Sequence, residues 1–236
     1  MRALILLLVA AFPLAASAQV PTAQPSTSDS DWAPWNARRA YRGGLLAVSW
    51  LPAIPVGNMT TKLPNATVHG LEVDARVSVG AGLTIGIDGS WQTFWRREAR
   101  ATYNFSTSPS VIGGDVTQGA VTAQVWRYLD SYQARGTIAY HLEVSRESRL
   151  VPYVKLGFGV ATNRYEINAA DLTWQKDQVN FAFAADVGTL IDLRFSRSFG
   201  TGFLAAVRYN VTTAQFGADL KTPMSIGFLL GVYASF

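Results

Sequence analysis

Leu71-Glu-Val-Asp-Ala-Arg-Val-Ser-Val79 places Leu71, Val73, Ala75, Val77 and Val79 on one side of an extended chain, and Glu72, Asp74, Arg76 and Ser78 on the other. A repeat of two is that of a β-strand, whose successive side chains point to opposite faces. The connector Gly80-Ala-Gly82 leads into a second such run. There Leu83, Ile85, Ile87, Trp91 and Trp95 oppose Thr84, Asp88, Ser90 and Gln92.

The alternation recurs down the chain. Ile138, Tyr140 and Leu142 oppose Gln133, Arg135, Thr137, His141 and Glu143, and Val154, Leu156, Phe158 and Val160 oppose Lys155, Gly157 and Gly159. Phe181, Phe183, Val187, Ile191 and Leu193 oppose Asn180, Asp186, Asp192 and Arg194; Phe203, Val207, Tyr209 and Val211 oppose Arg208, Asn210 and Thr212. These runs predict eight strands over 43–56, 67–79, 83–97, 126–144, 151–166, 178–194, 202–214 and 223–236. Links after the second, fourth and sixth are short (80–82, 145–150, 195–201), and those after the first, third and fifth are longer (57–66, 98–125, 167–177). Outer-membrane barrels alternate tight periplasmic turns with longer external loops in this way. The last link, 215–222, is brief for its side.

Composition narrows the class. Of 236 residues, 49% are hydrophobic and 12% aromatic but 15% charged, against about 25% charged in soluble domains. Such apolar content excludes disorder, and the lack of Cys excludes disulfide scaffolds and thiolate metal sites. The formal charge of +4, from 20 basic and 16 acidic residues spread along the chain, forms no footprint for nucleic acid. One domain accommodates the eight strands, and no repeat or second domain is indicated.

Met1-Arg2, the apolar run 3–11 and Ala16-Ser-Ala18 predict a cleaved signal peptide over 1–18, too short in its apolar core to be a membrane anchor. Removing Arg2 from the +4 leaves +3 on a mature chain starting at Gln19. Residues 19–42, rich in Pro, Ser, Thr and Gln at their start, read as a short, flexible periplasmic tail on which Arg38, Arg39 and Arg42 are solvated. Beyond residue 18 no apolar run is long enough for a helical span; the closest, Leu45–Val56, is interrupted by Pro52 and Pro55.

Alternation alone does not say which face points outward, since a soluble barrel would turn its apolar face in. Here one face is almost purely aliphatic and aromatic over six strands, while the other mixes acids and bases with Gly, Ser and Thr. Aromatics also gather near strand ends, at Trp91, Trp95, Trp126, Tyr128 and Tyr209, where girdles meet lipid headgroups. The apolar face is therefore assigned to lipid. At the end, Phe228, Leu230, Val232, Ala234 and Phe236 alternate to the last residue.

On these residues the chain resembles the outer-membrane β-barrel domain family of Gram-negative bacteria, small eight-stranded barrels akin to outer-membrane proteins A and X. The likeness covers residues 43–236. It is carried by Asn58-Met59 after a Pro-rich first strand, by Gly82-Leu-Thr-Ile-Gly-Ile-Asp-Gly-Ser-Trp-Gln-Thr-Phe94, by Val151-Pro-Tyr-Val-Lys-Leu-Gly-Phe-Gly159 and by Ala206-Val-Arg-Tyr-Asn210. The resemblance implies an all-β, antiparallel, up-and-down transmembrane barrel, monomeric in the outer membrane. It also implies that the assembly machinery recognises the last strand through Phe236. Members serve as adhesins, anchors and narrow channels, so the motifs speak for architecture more than activity.

Eight strands enclose a space that side chains just fill. The inward face carries Glu72, Asp74, Asp88, Glu143, Asp186 and Asp192 against Arg76, Arg135, Lys155, Arg194 and Arg208. Near-balance predicts a salt-bridged plug, with a narrow water-filled pore as the alternative. A third alternative is a lipid hydrolase or acyltransferase, because His141, Glu143 and Ser145 share a face. Residues two apart on a strand lie roughly 7 Å apart, too far for a nucleophile–base relay, and these sit beside a periplasmic turn. No catalytic, cofactor or metal residue is assigned; Asp115, Asp171 and Asp177 are too scattered for calcium, and the glycines at 80, 82 and 86 precede no helix. His69 falls on the apolar face near an external strand end. The sequons at Asn58, Asn65, Asn104 and Asn210 reflect barrel composition. The longest loop holds Arg96, Arg97, Arg100, Tyr103 and Phe105, whose arginines predict contact with lipopolysaccharide phosphates.

Overall fold

The computed structural model describes residues 43–106, 118–142, 149–170, 172–193, 200–217 and 220–236, with side chains placed for most of them. The signal peptide, the tail, Glu143, Ser145, Asp115, Asp171 and Arg194 lie outside the described residues, as do the side chains of Tyr103 and Phe105.

The strands are β1 (Gly44–Trp50), β2 (Ala53–Val56), β3 (Gly70–Gly80), β4 (Leu83–Arg97), β5 (Ala101–Ser106), β6 (Gln118–Ala123), β7 (Val125–His141), β8 (Leu150–Ala169), β9 (Leu172–Asp192), β10 (Gly200–Thr212), β11 (Gln215–Phe216), β12 (Leu220–Lys221) and β13 (Met224–Ser235), with one short helix, α1 (Met59–Lys62). The main sheet runs β1-β3-β4-β7-β8-β9-β10-β13 with antiparallel neighbours, and β13 pairs back onto both β1 and β2. β1 and β2 thus act as one stave, giving eight staves in a closed ring. Closure leaves the ring without an exposed edge, which lipid requires.

The first stave is expected as one strand over 43–56; it is interrupted at Leu51-Pro52. Pro52 has no N–H to continue the ladder. Leu51 N–H turns to the Gly70 carbonyl at 3.0 Å, and the Pro52 carbonyl accepts from Phe228 N–H at 2.8 Å. The β3–β4 turn passes through Ala81 and Gly82 at φ 51° and 77°, a left-handed conformation that Gly adopts freely.

Two of the expected external loops are partly or wholly strand. Inside 98–125, β5 and β6 pair from Ala101↔Ala123 to Ser106↔Gln118. The 167–177 loop is replaced by a tight turn: β8 and β9 pair in unbroken register from Leu150↔Ile191 to Ala169↔Leu172, with Ala170 at φ 52°. Their 20 and 21 residues exceed the 9–11 that a tilted strand needs to cross hydrocarbon. The outward face changes accordingly. Val154, Leu156, Phe158 and Val160 give way to Thr162, Arg164 and Glu166 on β8; Phe181 and Val179 give way to Asp177 and Gln175 on β9. Polarity here marks a solvated strand face above the bilayer.

Most large apolar side chains of the outer face are exposed, including Val73, Ile87, Leu156, Phe158 and Val207. The interior has three tiers. Toward the short turns, Leu45, Tyr153, Leu190, Leu204 and Tyr233 form an apolar cluster. Charged groups fill the middle. Toward the external loops, Met59 and Leu63 of the α1 segment meet Phe94, Leu129, Tyr165, Phe216 and Leu220 in a second apolar cluster.

Candidate functional site

The middle tier is a cluster of buried charges. Lys155 on β8 touches Asp74 at 2.9 Å, Glu72 and Asp186 at 3.1 Å, and Asp88 at 3.2 Å. Arg208 on β10 holds both Asp186 oxygens at 2.6 Å and grips Glu72 with a second fork. Arg135 on β7 donates to Asp88 and Gln133 at 2.7 Å, to Ser90 at 3.1 Å and to Asn210 at 3.2 Å. Arg76 binds Asp74 at 2.7 Å and lies over the Tyr153 ring at 5.0 Å. Four carboxylates (Glu72, Asp74, Asp88, Asp186) thus meet four cations (Arg76, Arg135, Lys155, Arg208), and all eight residues are buried.

This geometry follows from strand parity. Inward residues on β3, β4, β7, β8, β9 and β10 converge because their registers pair Asp74 with Asp88, Asp88 with Arg135, Lys155 with Asp186 and Asp186 with Arg208. Nine of the eleven predicted interior charges are described, and all nine are buried. Asp192 stands apart, near the short turns.

Above the ions, the mouth holds packing as well as polar contacts among the described residues. Arg127 on β7 donates to Glu98 at 2.8 Å and to the Tyr165 hydroxyl at 3.0 Å. Tyr165 packs its ring on Phe216 at 5.3 Å between centroids. The sequence reading missed this apolar cap, since Phe216 and Leu220 come from a loop and Met59 and Leu63 from a helical turn.

Of His141, Glu143 and Ser145, only His141 is among the described residues. His141 Nε2 contacts the Thr84 hydroxyl at 3.2 Å and its ring lies 5.6 Å from that of Tyr153, a structural setting at the short-turn end. His69 is exposed, on the outward face.

The three arginines expected in the longest loop divide, for Arg96 and Arg97 end β4 and only Arg100 lies beyond it. Arg96 donates to the Thr61 carbonyl at 2.7 Å and lies 3.9 Å from Glu98. Arg97 faces outward, its guanidinium 5.4 Å from the centre of the Trp126 ring. Arg100 joins Arg97 on the wall of a surface cleft that also includes Trp126 and Asn168. Trp95, Trp126 and Tyr128 form a contiguous aromatic group beside it, with centroids 5.9 and 6.4 Å apart.

Among solved structures, Neisserial surface protein A superposes with a TM-score of 0.51 at 13% identity, over 82% of this chain and 97% of that one. The chain has the fold of the small outer-membrane β-barrels. With lipid-facing side chains around a closed ring, such a barrel resides in the outer membrane. Ail of Yersinia pestis also matches, with a TM-score of 0.45 at 9% identity over 82% of this chain and 99% of that one. So does the N-terminal barrel domain of Pseudomonas aeruginosa OprF, at 0.36 and 10% over 81% and 97%. No family model matches the chain, and no curated protein matches it.

Proposed function

We propose that this protein is a non-enzymatic outer-membrane barrel, closed to solutes, that serves envelope integrity or surface contact through its external hairpins. The observation that carries the reading is Lys155, held within 3.2 Å of four carboxylates. A passage would have to part this cluster. Removing one partner from a buried ionic group costs about 3–5 kcal/mol, and the apolar cap lies over it.

The working surface is then outside. The β8–β9 hairpin stands beyond the bilayer, and β5–β6 adds a second projection. In this reading Arg97 and Arg100 meet lipopolysaccharide phosphates, whereas Arg96 is engaged with the Thr61 carbonyl over the mouth. Phe236, 66% exposed at the β1–β13 seam, is presented to the assembly machinery, and the barrel acts as a monomer.

Reconstitution in planar bilayers tests the closed lumen: no sustained conductance is expected, and steps of porin size would overturn it. Mass spectrometry of lipid tails from cells expressing wild type or His141→Ala tests the absence of enzymatic action. A tail modification present only with wild type would overturn that part.

A further inference from the structure

On the outward face at the far end of β4, a cleft of about 560 Å³ is lined by Arg97, Arg100, Thr122, Gln124, Trp126 and Asn168 among others. Its volume lies within the range of ~300–1,000 Å³ typical of small-ligand sites. Arg97, Trp126 and Asn168 are successive ladder partners across β4, β7 and β8. Arg97 closes a strand of 15 residues, past the 9–11 that cross hydrocarbon. The cleft therefore opens on the flank of the barrel above the hydrocarbon, level with the solvated end of β8, and not into its mouth.

Its walls specify a chemistry. Arg97, steadied over Trp126, and Arg100 supply two guanidinium groups, whose planar donors suit phosphate oxygens. Asn168 Nδ2 donates to Glu166 Oε1 at 2.6 Å. A carboxylate only accepts, so the amide nitrogen must face Glu166. That fixes the other end: Asn168 Oδ1 is buried and has no hydrogen-bond donor from the described residues. A buried acceptor beside two cations asks for a ligand bearing a hydroxyl or amide donor next to its anionic group.

We propose that this cleft binds a phosphorylated saccharide, with Arg97 and Arg100 on the phosphate and Asn168 Oδ1 accepting from a sugar hydroxyl or amide. The proposal rests on the reading of the external surface as the working part, and it deepens the arginine contact into a defined site. The same chemistry occurs in a glycolipid of the outer leaflet and in soluble sugar phosphates. The flank position favours the leaflet.

The test uses the purified barrel in phospholipid nanodiscs, titrated with glucose 1-phosphate, glucose or sulfate, and separately in nanodiscs carrying lipopolysaccharide. Binding of glucose 1-phosphate or retention of lipopolysaccharide supports the site, and whichever is stronger names the source. Arg97→Ser with Arg100→Ser should weaken binding by about tenfold or more, Arg100→Ser alone should act in the same direction, and Arg96→Ser should leave it unchanged. Asn168→Ala should weaken the sugar phosphate but not sulfate, which has no donor. Failure of both ligands to bind, an equal loss with Arg96→Ser, or indifference to Asn168→Ala would overturn the proposal. Heat-modifiable gel migration checks that each variant is folded. Conductance of the same preparations reports separately on the closed lumen, so the two readings can fail independently.

Discussion

β8 and β9 carry two cross-strand ion pairs in one continuous register, Lys155 with Asp186 and Arg164 with Asp177. Their N···O distances are alike, 3.1 and 3.0 Å. Their surroundings are opposite. The Lys155–Asp186 side chains are 1% and 0% exposed, inside the lumen; those of Arg164–Asp177 are 36% and 49% exposed, on the outer face above the bilayer. An exposed pair gains little, because water and salt screen it and both side chains must be held still. A buried pair is different: neither partner can be removed without stranding the other in a place that water cannot enter. The same contact in the same hairpin is thus structural below the rim and incidental above it.

The largest effect expected from breaking this contrast is at Lys155. Lys155→Met leaves the four carboxylates it touches with one cation fewer, at a cost of about 3–5 kcal/mol. Urea unfolding in detergent, read by heat-modifiable migration, should show the loss, and Lys155→Met combined with Asp186→Asn should recover part of it. Next comes the apolar cap. Leu63→Ala should cost about 2–5 kcal/mol by the same assay, yet open no conductance, because the ionic tier below is intact. At the exposed pair, Arg164→Ala should leave the unfolding midpoint unchanged within error. The smallest effect is a titration. The hydrogen bond from Arg164 holds the Asp177 carboxyl below the usual carboxylate range. The pair is therefore fully formed above that range and is lost as pH falls through the lowered value, an event that carboxyl-carbon NMR should report in wild type and find moved upward in Arg164→Ala.

How much of this was legible in the sequence depends on what each residue answers to. The lumen charges are legible because the residues on either side of them are apolar and face lipid; Lys155 between Val154 and Leu156 can only point inward. Asp177 misleads for the same reason reversed. Above the hydrocarbon, an outward residue meets water, so the polar-outward side of a strand looks like a loop, and a 20-residue stave was read as one of 16. The break at Pro52 was visible as a proline, but its consequence lay in which carbonyls Leu51 and Phe228 would reach. The cap was invisible, since Phe216, Leu220, Met59 and Leu63 follow no shared period and meet only once the ring has closed. In the cleft, Arg97 and Arg100 are legible as a pair of neighbouring cations. Their separation from Arg96 was not, because it follows from strand parity at the last residue of β4, and Asn168 was concealed in a segment taken for a loop.

The charges in the lumen are unevenly shared between the two parts of the chain. Within the middle tier, β3 and β4 bring Glu72, Asp74 and Asp88 with Arg76 alone to offset them, whereas β7 through β10 bring Arg135, Lys155 and Arg208 with Asp186 alone. Neutrality of that tier belongs to the closed ring, and each portion's share of it carries an excess of two, negative in one and positive in the other. A polypeptide severed between β4 and β7 should leave two fragments that attract one another and that neither tolerates hydrocarbon unaided. Burial of each portion's excess charge is thus coupled to the other's, because the offsetting groups meet only when the ring is complete.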